Sequence, residues 1–195
     1  QKANQVEFGL RYNDSKIKGS VVWFHINTKD DILPYESASF PSQTLYQNVG
    51  TTKRSGIEMN GQWLILPKTL ISASYSTIKA RFTNGNLKDN YLPGIAEDFG
   101  SLQLQQNLKS DTSIKFISIY RGNISANNEN TVSIPRVVIH NIEMRKGLNQ
   151  LQFTMGIQNL LNKQYSDNVR INAFGGRNYE VANARQGFVR MRYLL

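Results

Sequence analysis

With 195 residues the chain is long enough for one domain with a real interior, yet its mean hydropathy is -0.44 and it holds no apolar run near the roughly 20 residues of a membrane helix. It has no cysteine, which excludes disulfides and thiolate metal sites. The formal charge of +9 is scattered singly, with no basic cluster or helix face, which speaks against a nucleic-acid partner. From Gln1 the sequence runs directly into alternation with no signal peptide, which leads us to expect a piece of a longer protein. In the first segment, 4–12, Val6, Phe8, Leu10 and Tyr12 alternate with Glu7, Gly9 and Arg11. Segments follow near 16–29, 45–64, 69–82, 98–108, 112–122, 135–145, 150–161 and 184–195. Leu102, Leu104 and Leu108 alternate with Gln103, Gln105 and Asn107; Leu151, Phe153, Met155 and Ile157 with Gln152, Thr154, Gly156 and Gln158; and Val189, Met191 and Tyr193 with Arg190 and Arg192. A period of two means strands with one apolar and one polar face. The phases are less clear in 16–29 and 112–122, where both faces carry apolar residues. No amphipathic helix or internal repeat interrupts the series, so residues 1–195 read as one all-β domain.

The connections alternate short and long: 13–15, then 30–44; 65–68, then 83–97; 109–111, then 123–134; 146–149, then 162–183. Transmembrane β-barrels keep this rhythm, with tight turns on one rim and long loops on the other. About nine strands is an odd number, whereas single-chain bacterial barrels are even. An open sheet leaves two unpaired edges, untenable in lipid, so further strands are expected from elsewhere. On this reading Glu7, Arg11, Glu58, Glu143, Arg190 and Arg192 face a watery interior, where they either form an ionic network or simply keep it solvated. Trp23, Trp63 and many of the tyrosines belong to interfacial girdles. His25 and His140 are 115 positions apart with no ligand-spaced partner, so no metal or cofactor is expected. Gly175-Gly176 reads as a turn.

Three segments carry a family resemblance. Gln47-Asn48-Val49-Gly50-Thr51-Thr52-Lys53-Arg54-Ser55-Gly56-Ile57-Glu58-Met59 resembles a long barrel strand of TonB-dependent outer-membrane receptors. Gly156-Ile157-Gln158-Asn159-Leu160-Leu161-Asn162-Lys163-Gln164-Tyr165 is similar to that family's penultimate-strand signature, and Ala184 through Leu195 to its terminal strand. Leu92-Pro93-Gly94-Ile95 is a weaker cue. The resemblance implies an antiparallel transmembrane segment, the last nine or so strands of a larger plugged barrel in the bacterial outer membrane, with the plug and earlier strands absent from this sequence. It further implies a transporter, not an enzyme. Such a receptor takes up a scarce ligand, most often a ferric siderophore, sometimes haem, cobalamin or a saccharide. Its partners would be outer-membrane lipid, the rest of the barrel and plug, and TonB as the energy source. Anionic chelates favour Arg and aromatic contacts, which makes Arg81, Tyr91, Tyr120, Arg121, Arg170, Arg177 and Tyr179 the candidate ligand residues, set against the reading that they are solvated loop charges and interfacial aromatics.

Two alternatives stand beside it. A soluble basic β-sheet binding module would bury its apolar faces against each other in one dry core. A complete small barrel of eight strands plus one stray segment would close on itself; the enzyme alternative, a barrel phospholipase, has no nucleophile-elbow sequence or other enzyme motif behind it.

Overall fold

A computed structural model describes residues 1–176 and 178–194; Arg177 and Leu195, both named above, lie outside the described residues. Among the described residues the strands are, in chain order, β1 (Lys2–Asn13), β2 (Ile17–Ser37), β3 (Phe40–Leu66), β4 (Thr69–Phe82), β5 (Asp98–Asn107), β6 (Thr112–Arg121), β7 (Ile124–Ser125), β8 (Ser133–Ile134), β9 (Val137–Leu148), β10 (Leu151–Gln158), β11 (Ser166–Val169), β12 (Tyr179–Val181) and β13 (Gln186–Tyr193). Nine of them form one antiparallel sheet in the order β1-β2-β3-β4-β5-β6-β9-β10-β13, while β7-β8 and β11-β12 are two small hairpins inside long connections.

The register sorts side chains cleanly between two faces, because directly opposed residues share a face. On one face lie Phe8 opposite Trp23, Trp23 opposite Ile57, Met59 opposite Tyr75, and Leu104 between Ile71 and Phe116; the series continues through Met144, Met155 and Val189. Among the described residues no sheet stacks on this face. Phe8 is 70% exposed and Val189 76%. A soluble module would have buried such residues in a shared core, so this arrangement rules against that reading. The stretch from Ile57 to Ile65, tilted and rising roughly 3.4 Å per residue, suits the apolar band of roughly 25 Å that an outer-membrane barrel presents to lipid.

The opposite face is predominantly polar, although Phe24, Ile78, Phe82, Ile117, Ile119 and Val137 also lie on it. It carries Glu7, Arg11, Glu58, Glu143, Arg190 and Arg192, as the alternation requires. Among the described residues none of these six makes an ion pair. The mixed phase of β2 also has a cause. Phe24 points to the polar face and lies over Gly56, where an added Cβ would meet its ring at 2.8 Å. Phe188 covers Gly156 in the same way.

Short turns are tightly built. In the first, the Asp14 carboxylate accepts the backbone N–H groups of Lys16 and Ile17 at 2.6 and 3.0 Å, and these bonds, with the Tyr12 hydroxyl, hold its pKa below the ordinary carboxylate value. The segment expected to be a long loop, 30–44, is instead mostly sheet: β2 and β3 remain paired to Ser37 and Phe40. Bulges near Asp31 and Gly50 break the alternation there. Gly50 adopts φ +83°, a left-handed conformation for which glycine is suited.

Candidate functional site

Apart from Ser113 at the short-turn end, the buried residues of the sheet gather at its long-loop end. Ala80, Phe82 and Leu92 form a small core with Leu33, Val49, Ile78, Leu87 and Ile95 around it. Thr28, Thr52, Ala80, Phe82 and Val137, all on the polar face, are covered at the long-loop end. The long connections therefore lean over the polar face and leave the apolar face bare.

Asparagines knit these connections together. Asn172 adopts φ +52° and donates through Nδ2 to the Pro34 carbonyl at 3.0 Å and to Asn128 Oδ1 at 3.1 Å, while its own Oδ1 accepts the Asn128 N–H at 2.8 Å. Its backbone bonds to Ala126 and Glu36. Asn128 in turn accepts Asn90 Nδ2 on its carbonyl at 2.9 Å, and Asn130 exchanges two hydrogen bonds with the backbone of Tyr91. Arg170 pairs with the buried Glu36 carboxylate. One roof thus joins the β2–β3 hairpin to the connections 83–97, 123–134 and 162–183.

Beneath it, Asp31 is 2% exposed and accepts the Thr52 hydroxyl at 2.6 Å and Arg54 Nη2 at 2.8 Å. Burial alone would raise its pKa. The Thr52 and Arg54 hydrogen bonds and the Arg54 charge outweigh that and hold it below the ordinary value. Asn159 ends β10 at φ +50°, donates to the Lys163 and Asn183 carbonyls and accepts the Lys163 N–H; Asn162 accepts the Arg185 N–H. The two asparagines of the penultimate-strand motif therefore shape a turn and align β13.

The candidate residues do not converge on one point. Arg121 lies on the polar face and donates to the Ser166 and Pro135 carbonyls, and Arg170 belongs to the roof through Glu36. Tyr179 lines a cavity of about 760 Å³ between 133–137 and 162–184, together with Tyr165, Arg136 and Lys163. Burial raises the Tyr165 pKa, Asp167 adds to it and Arg121 opposes it. Tyr120 sits opposite Gly100 on the apolar face, in line with Tyr75. Arg81 shares that face with Lys53; its guanidinium stacks 4.4 Å from the Tyr91 ring and donates to the Tyr91 hydroxyl at 2.9 Å. The asparagine roof and the Asp31–Thr52–Arg54 cluster escaped sequence reasoning. Their one visible sign was the wealth of asparagine in the long connections.

Comparison with known proteins adds the following. A family model described as TonB dependent receptor-like, beta-barrel, matches residues 1–160. Among solved structures, the ferric yersiniabactin uptake receptor FyuA from Yersinia pestis superposes with a TM-score of 0.80 at 15% identity, over 98% of this chain and 29% of that one. The ferric citrate transporter FecA gives 0.80 at 18% identity, over 97% and 30%. The copper transporter OprC gives 0.80 at 16%, over 98% and 30%. At these identities the likeness is one of fold, and the chain spans 29–30% of the length of these proteins.

Proposed function

The chain belongs to the TonB-dependent receptor β-barrel family, a family of bacterial outer-membrane transporters rather than enzymes, and from that membership we propose that residues 1–195 are the C-terminal part of the wall of an active importer for a scarce metal chelate. The remaining strands and a plug would come from the rest of a longer protein, and TonB would supply the energy. Within this reading the nine-stranded sheet is an arc of wall, its apolar face toward lipid and its polar face toward the channel.

One observation supports this assignment most: the long connections roof the polar face and leave the apolar face uncovered. That builds a wet vestibule wall on the channel side. Arg121, Arg170 and Tyr179 are the proposed vestibule contacts, with Arg177 proposed on its chemistry alone; Arg81 with its partner Tyr91, and Tyr120, stand on the apolar face toward lipid. A ferric siderophore is the favoured ligand, because Arg and Tyr suit anionic chelates and two of the structural neighbours bear ferric-chelate names; the copper transporter makes a different metal the second possibility.

The test is uptake of radiolabelled iron or copper chelates by iron-starved cells making the full-length receptor, with and without TonB. Accumulation that requires both proteins is the expected result, and accumulation indifferent to TonB would overturn the reading. Tyr179→Ala should weaken chelate binding about fivefold, the loss of one aromatic contact worth roughly 1 kcal/mol, with the wall left intact.

A further inference from the structure

The chain contains two Asn-Gly steps, and the fold treats them differently. Asparagine followed by glycine is chemically labile, because no side chain on the second residue shields its nitrogen from the asparagine amide. Asn60-Gly61 lies within β3, where Gly61 pairs with Gly19 on one side and Ala73 on the other. The Gly61 N–H is therefore spent in the ladder, and Asn60 Nδ2 is held on Ser20 Oγ at 2.8 Å. Asn84-Gly85 follows β4 at the start of the connection 83–97, and both residues are exposed. Among the described residues the Gly85 N–H has no backbone acceptor. Gly85 stands at φ +68°, with nothing within 4 Å of the place a Cβ would occupy. The Asn84 side chain crosses to β3, where its Oδ1 accepts the Thr51 N–H at 3.0 Å and lies over Gly50. That donor draws electrons from the Asn84 Cγ, as an oxyanion-hole N–H does.

We propose that Asn84 is a site of spontaneous deamidation, and that its isoaspartyl product unfastens the start of the connection 83–97 from β3. The Gly85 nitrogen, giving its proton to solvent, bonds to the Asn84 Cγ; the Cγ–Nδ2 bond breaks and ammonia leaves. Water then opens the resulting cyclic imide at either carbonyl, to aspartate or to isoaspartate. Water is the only co-reactant. Asn84 rests at an extended ψ of 173°, so ring closure needs a local turn, and the open space about Gly85 permits it. The two products act differently on Thr51. Aspartate keeps an oxygen where Oδ1 stood, and a carboxylate is the stronger acceptor. Isoaspartate routes the backbone through the former side chain and leaves its carboxylate on Cα, one carbon short of Thr51. The Thr83 N–H and hydroxyl, both on the Thr51 carbonyl at 3.0 Å, then lose their alignment with it. Asn90 and Tyr91 stay held by Asn128 and Asn130, so the release is confined to the stretch before the roof.

The test holds the full-length receptor in heavy-oxygen water near neutral pH and maps its peptides by mass. Asn84 should take up the label at least about a hundredfold faster than Asn60, whose strand must first open. Isoaspartyl methyltransferase with a radiolabelled methyl donor should mark the Asn84 peptide, and N84Q should stay unmarked there. In the aged protein, amide exchange at Thr51, Thr83, Lys88 and Asp89 should rise about fivefold each, the worth of one hydrogen bond. Leu92, whose N–H is bonded to the Ala80 carbonyl, should be unchanged. N84D carries the new charge without the rerouted backbone and should keep the parent's protection. Equal labelling of Asn60 and Asn84 would overturn the proposal. So would isoaspartate at Asn84 without faster exchange, or N84D exchanging as fast as the aged protein. None of these readouts uses a ligand or TonB, so their failure leaves the transport assignment standing.

Discussion

Asp31 and Asn172 show how single side chains hold the roof. Because the folded Asp31 carboxylate titrates below its ordinary value near ~3.9, its stabilisation is complete above that pH and fades as pH falls through the lowered folded value. Protection factors in 28–54, which remove the intrinsic pH dependence of amide exchange, should therefore fall on acidification below about pH 4 and stay constant between about pH 6 and 8. Asp31→Asn should mimic the acid state at neutral pH at a cost of about 2–3 kcal/mol, reduced from the fully buried case because Arg54 is partly exposed. Asn172→Ala removes three side-chain hydrogen bonds and forces alanine into left-handed backbone, at about 2–4 kcal/mol. Exchange should rise in 34–38, 124–134 and 166–172 and stay unchanged in β5 and β6. If the wall loosens equally, the roof is not a separate unit.

At the scale of elements, glycine and aromatic pairs pin the strands. A Cβ at Gly56 would meet the Thr77 carbonyl at 2.1 Å and Phe24 at 2.8 Å, whereas at Gly61 the nearest atom is a carbonyl at 3.7 Å. Gly56→Ala should therefore lower the temperature at which the receptor loses its heat-resistant gel mobility, by an overpacking cost of about 1–3 kcal/mol, while Gly61→Ala should not. The nine wall strands were legible in the sequence because side-chain period and burial coincide in them. The upper β2–β3 hairpin was not, since the bulges at Asp31 and Gly50 shift the phase and Pro34 and Pro41 look like loop punctuation. The roof was illegible for another reason. Asn172 and Pro34 are 138 positions apart, and side-chain-to-backbone contacts at that distance leave no periodic trace. The chemistry of Arg81 and Tyr120 suggested ligand contacts, but which face each occupies is a matter of register. Tyr120 is in step with Ile114 and Phe116, and that parity was readable.

For the whole molecule, the division between faces predicts opposite tolerance at adjacent positions. Leu102 lies on the lipid face at 50% exposure, and Leu102→Arg should cost about 2–4 kcal/mol near the bilayer midplane. Gln103→Arg, one residue on and facing the channel, should be nearly silent in the same heat-mobility assay. Comparable losses at both positions would mean that lipid does not lie against one face alone. The sheet also ends in two edges, β1 and β13, that do not pair with each other, so among the described residues the arc is not a closed barrel. Each edge leaves a row of backbone groups without a strand partner among the described residues, which further strands on both sides would satisfy.

The link from Asn172 and Arg170 back to Pro34 and Glu36 acts as a chord drawn across the arc. At about 4.8 Å between neighbouring strands, a flat sheet would hold those partners tens of ångströms apart. Curling of the wall brings its two ends toward each other, and once tied the chord holds the arc against flattening.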